Sequence, residues 1–406
     1  MSTWRTIAVA SVTVMLGLCP QTGFTQRPLA AEVVVPVFAV DTSWPSLPAG
    51  WTLGNVAKVS VDSHDNIWLI HRPVTVPKGK ISAPPVLEFD QNGKLLRAWG
   101  GPAMGYDWPH LEHNIFVDTK DNVYISGGSP NGNLTPDSDD MLLKFTADGK
   151  FLKQMGGYNA NKDNLDTHAV NKPGDFFVWP KTNELFVADG YGNRRVIVFD
   201  ADTFAFKRMW GAYGKPAING PTWGGPGPSG GPLGQVADET ANSPILVAGG
   251  PGPEQFASPV HSVLVSNDNL LYVGDRSNRR VQVFEPGGKY ITEMFLNRAG
   301  PKSQTVCGLA FSPDQDQKYL YVTDYGNSHI AVVDRKTLKV LYQFGQRGTE
   351  SGNFRGIHHI AVDSKGNLYA GEVAPGSRIQ RFLFKGLSKE IPSYALTPEQ
   401  LSPTAK

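Results

Sequence analysis

One strand-rich unit recurs six times along this chain, and that repeat constrains the fold more than any other feature. The copies open on VSVDSHDNIWLIHR, IFVDTKDNVYISGG, FFVWPKTNELFVADGYGN, VLVSNDNLLYVGDRSNRR, LAFSPDQDQKYLYVTDYGN and IAVDSKGNLY. Each continues into Val, Ile and Phe alternation, a Gly-Lys or related turn, and an aromatic residue. No helical period is sustained between Ala31 and Lys385. Short hairpin-linked strands in six copies predict an all-β, six-bladed β-propeller built from NHL-type repeats, rather than a solenoid or a pair of sandwiches. The segment Val33 to Val40 is expected to supply a strand that completes the last blade.

The repeat makes one propeller unit of residues 32–386, although 406 residues would admit more than one average domain. Hydrophobic residues at 40% and charged residues at 18% are enough for a sizeable core. A Gly/Pro-rich insertion, 211–252, separates blades three and four, and a poorly ordered tail is expected over 387–406. A net charge of +1 without a basic run gives no footprint for nucleic acid or for an anionic membrane. The expected chain is a monomer that binds a small-molecule or peptide substrate.

Arg5 followed by the apolar run Ile7 to Leu18 reads as a signal peptide over 1–31, so the expected location is secreted or periplasmic. Leu18 stands where a lipoprotein signal needs a small residue before Cys19. Removal of that segment leaves Cys307 as the sole cysteine and no internal disulfide.

Alignment of the six copies on their innermost strand places Ala57, His113, Gly174, His261, Cys307 and His358 at one position. Histidine falls in blades two, four and six. Alternate blades are about 120° apart around the axis of such a propeller. Three imidazoles at one level then face one another, and three protein ligands with an open fourth position describe a catalytic zinc site. Iron or cobalt would also suit three imidazoles. The small residues between them are expected to leave room for water or substrate. His359 is expected to point away along the strand, and His64, His110, His168 and His329 carry no repeat pattern.

A second ring follows the second strand of each blade. It contains Arg72 and Arg276 at equivalent positions, Tyr191 in DGYGN and Tyr325 in DYGN. Two guanidinium forks suit a carboxylate-bearing substrate. A tyrosine beside a metal and an arginine is expected to have a lowered pKa and to serve as a base.

These residues together resemble the peptidyl-α-hydroxyglycine α-amidating lyase family, over roughly Val56 to Phe384. The resemblance is carried by VDSHDNIWLIHR, HNIFVDTKDN, FVADGYGNRRVIVF, PVHSVLV, DRSNRRVQVF and HHIAVDSKGNLY. It implies that His113, His261 and His358 hold a catalytic Zn2+, with Tyr191, Arg72 and Arg276 as catalytic residues. It also implies a carbon–nitrogen lyase that splits an N-acyl α-hydroxyglycine into an amide and glyoxylate.

Four features depart from the family, among them the insertion 211–252, which is expected to reshape the mouth so that the substrate need not be a peptide. His359 stands where the family commonly has an aspartate that helps bind a structural Ca2+, which counts against calcium. Gly192 replaces a disulfide cysteine of the animal members. The chain shows no copper monooxygenase domain to make the hydroxyglycine. A non-catalytic NHL propeller that binds a protein or small ligand on its face is the alternative reading. A propeller lactonase is disfavoured, because the axis carries histidine rather than carboxylate and Asn ligands.

Overall fold

A computed structural model describes Met1 and residues 33–128, 137–219, 250–300, 302 and 304–401. The expected signal segment with Cys19, and most of the insertion, lie outside the described residues. The described chain forms six four-stranded antiparallel sheets, arranged as the blades of a β-propeller. The inner strands are Asn55–Val61, Glu112–Val117, Asp175–Trp179, Val260–Val265, Leu309–Phe311 and Ile357–Val362. No helix among the described residues is long and apolar enough to cross a membrane.

The blades form because the sequence alternates two kinds of information. Strand residues present one apolar side chain to each neighbouring blade in turn. Between them, an aspartate at the end of the inner strand ties the turn. Asp62 accepts backbone N–H groups of His64 and Asn66 at 2.8 and 2.9 Å, and Asp118 and Asp363 repeat this with Lys120 and Asn122, and Lys365 and Asn367. This places His64 in a turn.

Six apolar clusters fill the six gaps between adjacent blades. Trp68, Ile70, Ile115 and Phe145 join blades one and two. Val59, Leu69, Leu87 and Tyr369 join blades six and one, so the ring closes. Val35–Asp41 pairs antiparallel with Arg378–Ser388 as the outermost strand of blade six. The first strand of the described propeller thus completes the last blade, as expected.

The tail needs correction in its described part. Tyr394 accepts the Phe38 N–H at 2.8 Å, and Leu396 exchanges backbone hydrogen bonds with Gln343 at 2.9 and 2.7 Å. Residues 387–401 therefore dock across the closure between blades five and six. Their apolar partners come from distant strands, which a local reading of composition does not reveal.

The closing strand is held by Phe38, which stacks on Phe344 at 5.7 Å and meets Tyr321 edge-on at 5.8 Å. Phe38→Ala is expected to cost about 3–5 kcal/mol in denaturant unfolding while leaving the axial histidines in place. A loss below about 1 kcal/mol would mean that this strand does not hold the ring shut.

Candidate metal centre on the propeller axis

The axial position arises from irregular pairing. In blades one, two and four the inner strand bulges at Ala57, His113 and His261, as the register steps from Val56 to Lys58, Glu112 to Asn114 and Val260 to Ser262. A bulged residue leaves the ladder and its side chain is re-aimed. In blade six the register jumps from Ile357 to Ile360, so both His358 and His359 leave the ladder.

His113, His261 and His358 come together on the axis, all buried, with ligand atoms within 4.8 Å of one another. Their ring centroids are 4.7–5.4 Å apart. His359 corrects its expectation. Outside the paired register, it turns inward and stacks on His261 at 5.0 Å. It lies outside the trio's ligand set, and its buried Nε2 has no hydrogen-bond partner.

Backbone carbonyls of the intervening blades orient two of the rings. His261 Nδ1–H donates to the Cys307 carbonyl at 2.8 Å, and His358 Nδ1–H donates to the Ala57 carbonyl at 2.6 Å. Both Nε2 lone pairs then face the axis, only 3.1 Å apart. Two lone pairs at that distance repel unless a cation lies between them. Tetrahedral zinc at ~2.0–2.1 Å from each nitrogen puts ligand nitrogens about 3.3 Å apart, so the residues fit such a metal. Ala57 and Cys307 were expected only to leave space, yet they supply these clamping carbonyls. The same alternation of blades that revealed the histidines was the available signal. His113 Nδ1 lacks such a partner.

Burial holds all three histidines well below the ordinary imidazole pKa. The nearby positive groups add to this: His358, Arg72 and Arg276 for His113, and Arg276 and His358 for His261. Neutral imidazole is the form that binds metal. Burial pushes the Cys307 thiol up to about 11, so it stays protonated beside His261.

Tyr191 stands over the trio. Its hydroxyl lies 3.2 Å from His113 Nε2 and 3.0 Å from His261 Nε2, and accepts a hydrogen bond from Arg276 Nη1 at 3.2 Å. The glycine before it is needed for close approach. A Cβ on Gly190 would meet the Val260 carbonyl at 2.0 Å, so only glycine lets this loop press on the inner strand of blade four. The expected lowering of the Tyr191 pKa is for a tyrosine beside a bound metal, and the protein groups alone act in both directions. Burial outweighs Arg276 and Arg72 and raises it.

Arg72 and Arg276 are both buried. Arg72 Nε donates to the Glu112 carbonyl at 2.8 Å, and Arg276 Nη1 approaches Cys307 Sγ at 3.9 Å. Among the described residues neither guanidinium forms an ion pair, and Arg276 Nε has no partner. Asp275 is engaged elsewhere, with Arg280 at 2.8 Å. Two buried cations without counter-ions make a site suited to an anion.

Below the trio the axis is differently built. The Lys58 ammonium bonds the Asp175 carboxylate and reaches the Phe176 carbonyl at 3.4 Å. A channel of about 530 Å³ opens from there to the opposite face, with His359, Lys58 and Asp175 in its lining.

No protein-family model matches the chain. It is 24% identical to human "NHL repeat-containing protein 3", covering 88% of this chain and 87% of that protein. It is 24% identical to mouse "Peptidyl-glycine alpha-amidating monooxygenase", covering 79% of this chain but 29% of that longer protein. It is 26% identical to a Caenorhabditis elegans protein named "Probable peptidyl-alpha-hydroxyglycine alpha-amidating lyase", covering 51% of this chain and 48% of the other. A solved streptogramin B lyase covers 86% of this chain at 11% identity and a TM-score of 0.49. The chain is thus an NHL-type propeller with distant amidating-lyase relatives.

Metal analysis tests the centre. His113→Ala, His261→Ala and His358→Ala are each expected to lose stoichiometric metal, whereas His359→Ala retains it. Equal retention in all four variants would remove the site.

Proposed function

We propose that the protein is a metal-dependent carbon–nitrogen lyase that cleaves an N-acyl α-hydroxyglycine to the corresponding amide and glyoxylate. The observation that carries this reading is the convergence of three buried imidazoles and the Tyr191 hydroxyl, with Arg276 bonded to that hydroxyl and the buried Arg72 charge acting on the same groups. The distant relatives named for amidation support it.

His113, His261 and His358 would hold the metal, with zinc as the proposed ion. Bound there, it would supply Lewis-acid polarisation of the substrate hydroxyl. Arg72 and Arg276 take the carboxylate, the group that separates this substrate from an ordinary amide. Entering the step as the phenolate, Tyr191 accepts the hydroxyl proton as the carbon–nitrogen bond breaks and passes that same proton to the departing amide nitrogen. The proton count balances, and no oxidant or second substrate is needed. Burial raises the Tyr191 pKa while Arg276 and Arg72 lower it, so the phenolate would draw on those two guanidiniums and on the charge of a bound metal.

A secreted or periplasmic location and a monomeric state are proposed with this function. The second reading is a non-catalytic NHL propeller. Its support is the broad match to NHL repeat-containing protein 3, which covers most of both chains.

Metal-loaded protein supplied with α-hydroxyhippurate is expected to release glyoxylate and benzamide. Tyr191→Phe is expected to lower kcat by about 10²–10⁴-fold with metal content unchanged. A metal-loaded protein that releases no glyoxylate from α-hydroxyhippurate favours the binding module.

A further inference from the structure

Arg276 keeps its place without a carboxylate, and aromatic rings take that role. Its Cζ lies 5.4 Å from the Tyr191 ring centroid and 5.8 Å from that of Tyr325. Tyr191 belongs to the reacting centre. Tyr325 belongs to the wall, where it packs with Cys307 and Val373 in a small apolar cluster on the axis, apart from the six clusters between blades. The repeat explains its position. Tyr325 follows Asp324 in blade five as Arg276 follows Asp275 in blade four.

The chemistry of this arrangement differs from that of a salt bridge. A carboxylate would hold a guanidinium through its N–H edge and use up the donors. A ring attracts the cation through its π-face and leaves the N–H donors free. Arg276 Nε is indeed unpartnered, while Nη1 makes only the contacts to Tyr191 and Cys307.

We propose that Tyr325 is a positioning residue, which holds Arg276 by its ring face so that the guanidinium edge stays available to the carboxylate of an N-acylglycine-type ligand. This rests on the carboxylate-binding part of the proposed function, but not on the lyase step.

The test uses zinc-loaded protein and the unreactive probe hippurate, with hippuramide as the uncharged control, followed by titration calorimetry. Tyr325→Phe keeps the ring and is expected to bind hippurate as the native protein does. Tyr325→Leu and Tyr325→Met are expected to bind it roughly 10-fold or more weakly, with zinc content unchanged and hippuramide binding unaffected. With α-hydroxyhippurate the same loss should appear in KM, with kcat little altered. Either apolar variant binding hippurate as tightly as the native protein would overturn the proposal. So would Tyr325→Phe losing as much as Tyr325→Leu, because the hydroxyl and not the ring would then be responsible. Failure of the native protein to bind hippurate overturns it as well. Native protein that binds hippurate in this ring-dependent way but releases no glyoxylate supports the positioning role and removes only the lyase reading.

Discussion

Two backbone carbonyls decide what the axis of this propeller can do. The Cys307 and Ala57 carbonyls each take an imidazole N–H, and so turn the other nitrogen of His261 and His358 inward. A free imidazole has no preferred nitrogen, so its lone pair would otherwise point either way. Each carbonyl belongs to the blade after its histidine, so the interlocking of neighbouring blades sets the direction of the lone pairs. Thr323 strengthens the same seam, donating to the His358 carbonyl at 2.7 Å and accepting from Gly308 N–H at 2.6 Å. Hydrogen bonds to the far nitrogen of an imidazole fix the ring orientation that presents the other nitrogen to a metal.

The electrostatics follow from that geometry. Buried imidazoles kept neutral provide lone pairs, while the charges around them are sorted along the axis. Below, Lys58 is neutralised by Asp175. Above, Arg72 and Arg276 are left without counter-ions among the described residues. An anion can thus be attracted to one face of the histidine plane and not the other. The tyrosine rings beside Arg276 permit an unpaired cation to stay ordered there.

Much of this was legible in the sequence, for identifiable reasons. The repeat length and its hairpin turns dictate blades, and the histidines at one repeat position in alternate blades dictate a shared level. Val35–Asp41 could be placed in blade six because a propeller needs closure. What escaped reading depends on register. Blades four and six each gain one extra residue, but in blade six His358 and His359 both lie outside the paired register opposite Gly371, and His359 stacks on His261 against ordinary strand alternation. Carbonyl partners carry no side-chain signature, so the alternation of blades marked the positions of Ala57 and Cys307 but not their role as clamps. Tyr191 was found by motif, but its complete burial, which opposes Arg276 and Arg72, is a property of the folded site. The docking of Tyr394 and Leu396 depends on strands far away in sequence.

The central claim is that three imidazole nitrogens, and no sulfur, hold a metal on the axis. X-ray absorption at the zinc edge of the metal-loaded protein tests it most directly, because Cys307 Sγ lies only 3.5 Å from His261 Nδ1. The account predicts about three nitrogen scatterers near 2.0–2.1 Å, one further light atom, and imidazole multiple scattering. A sulfur shell near 2.3 Å, or a spectrum with water ligands alone, would contradict it.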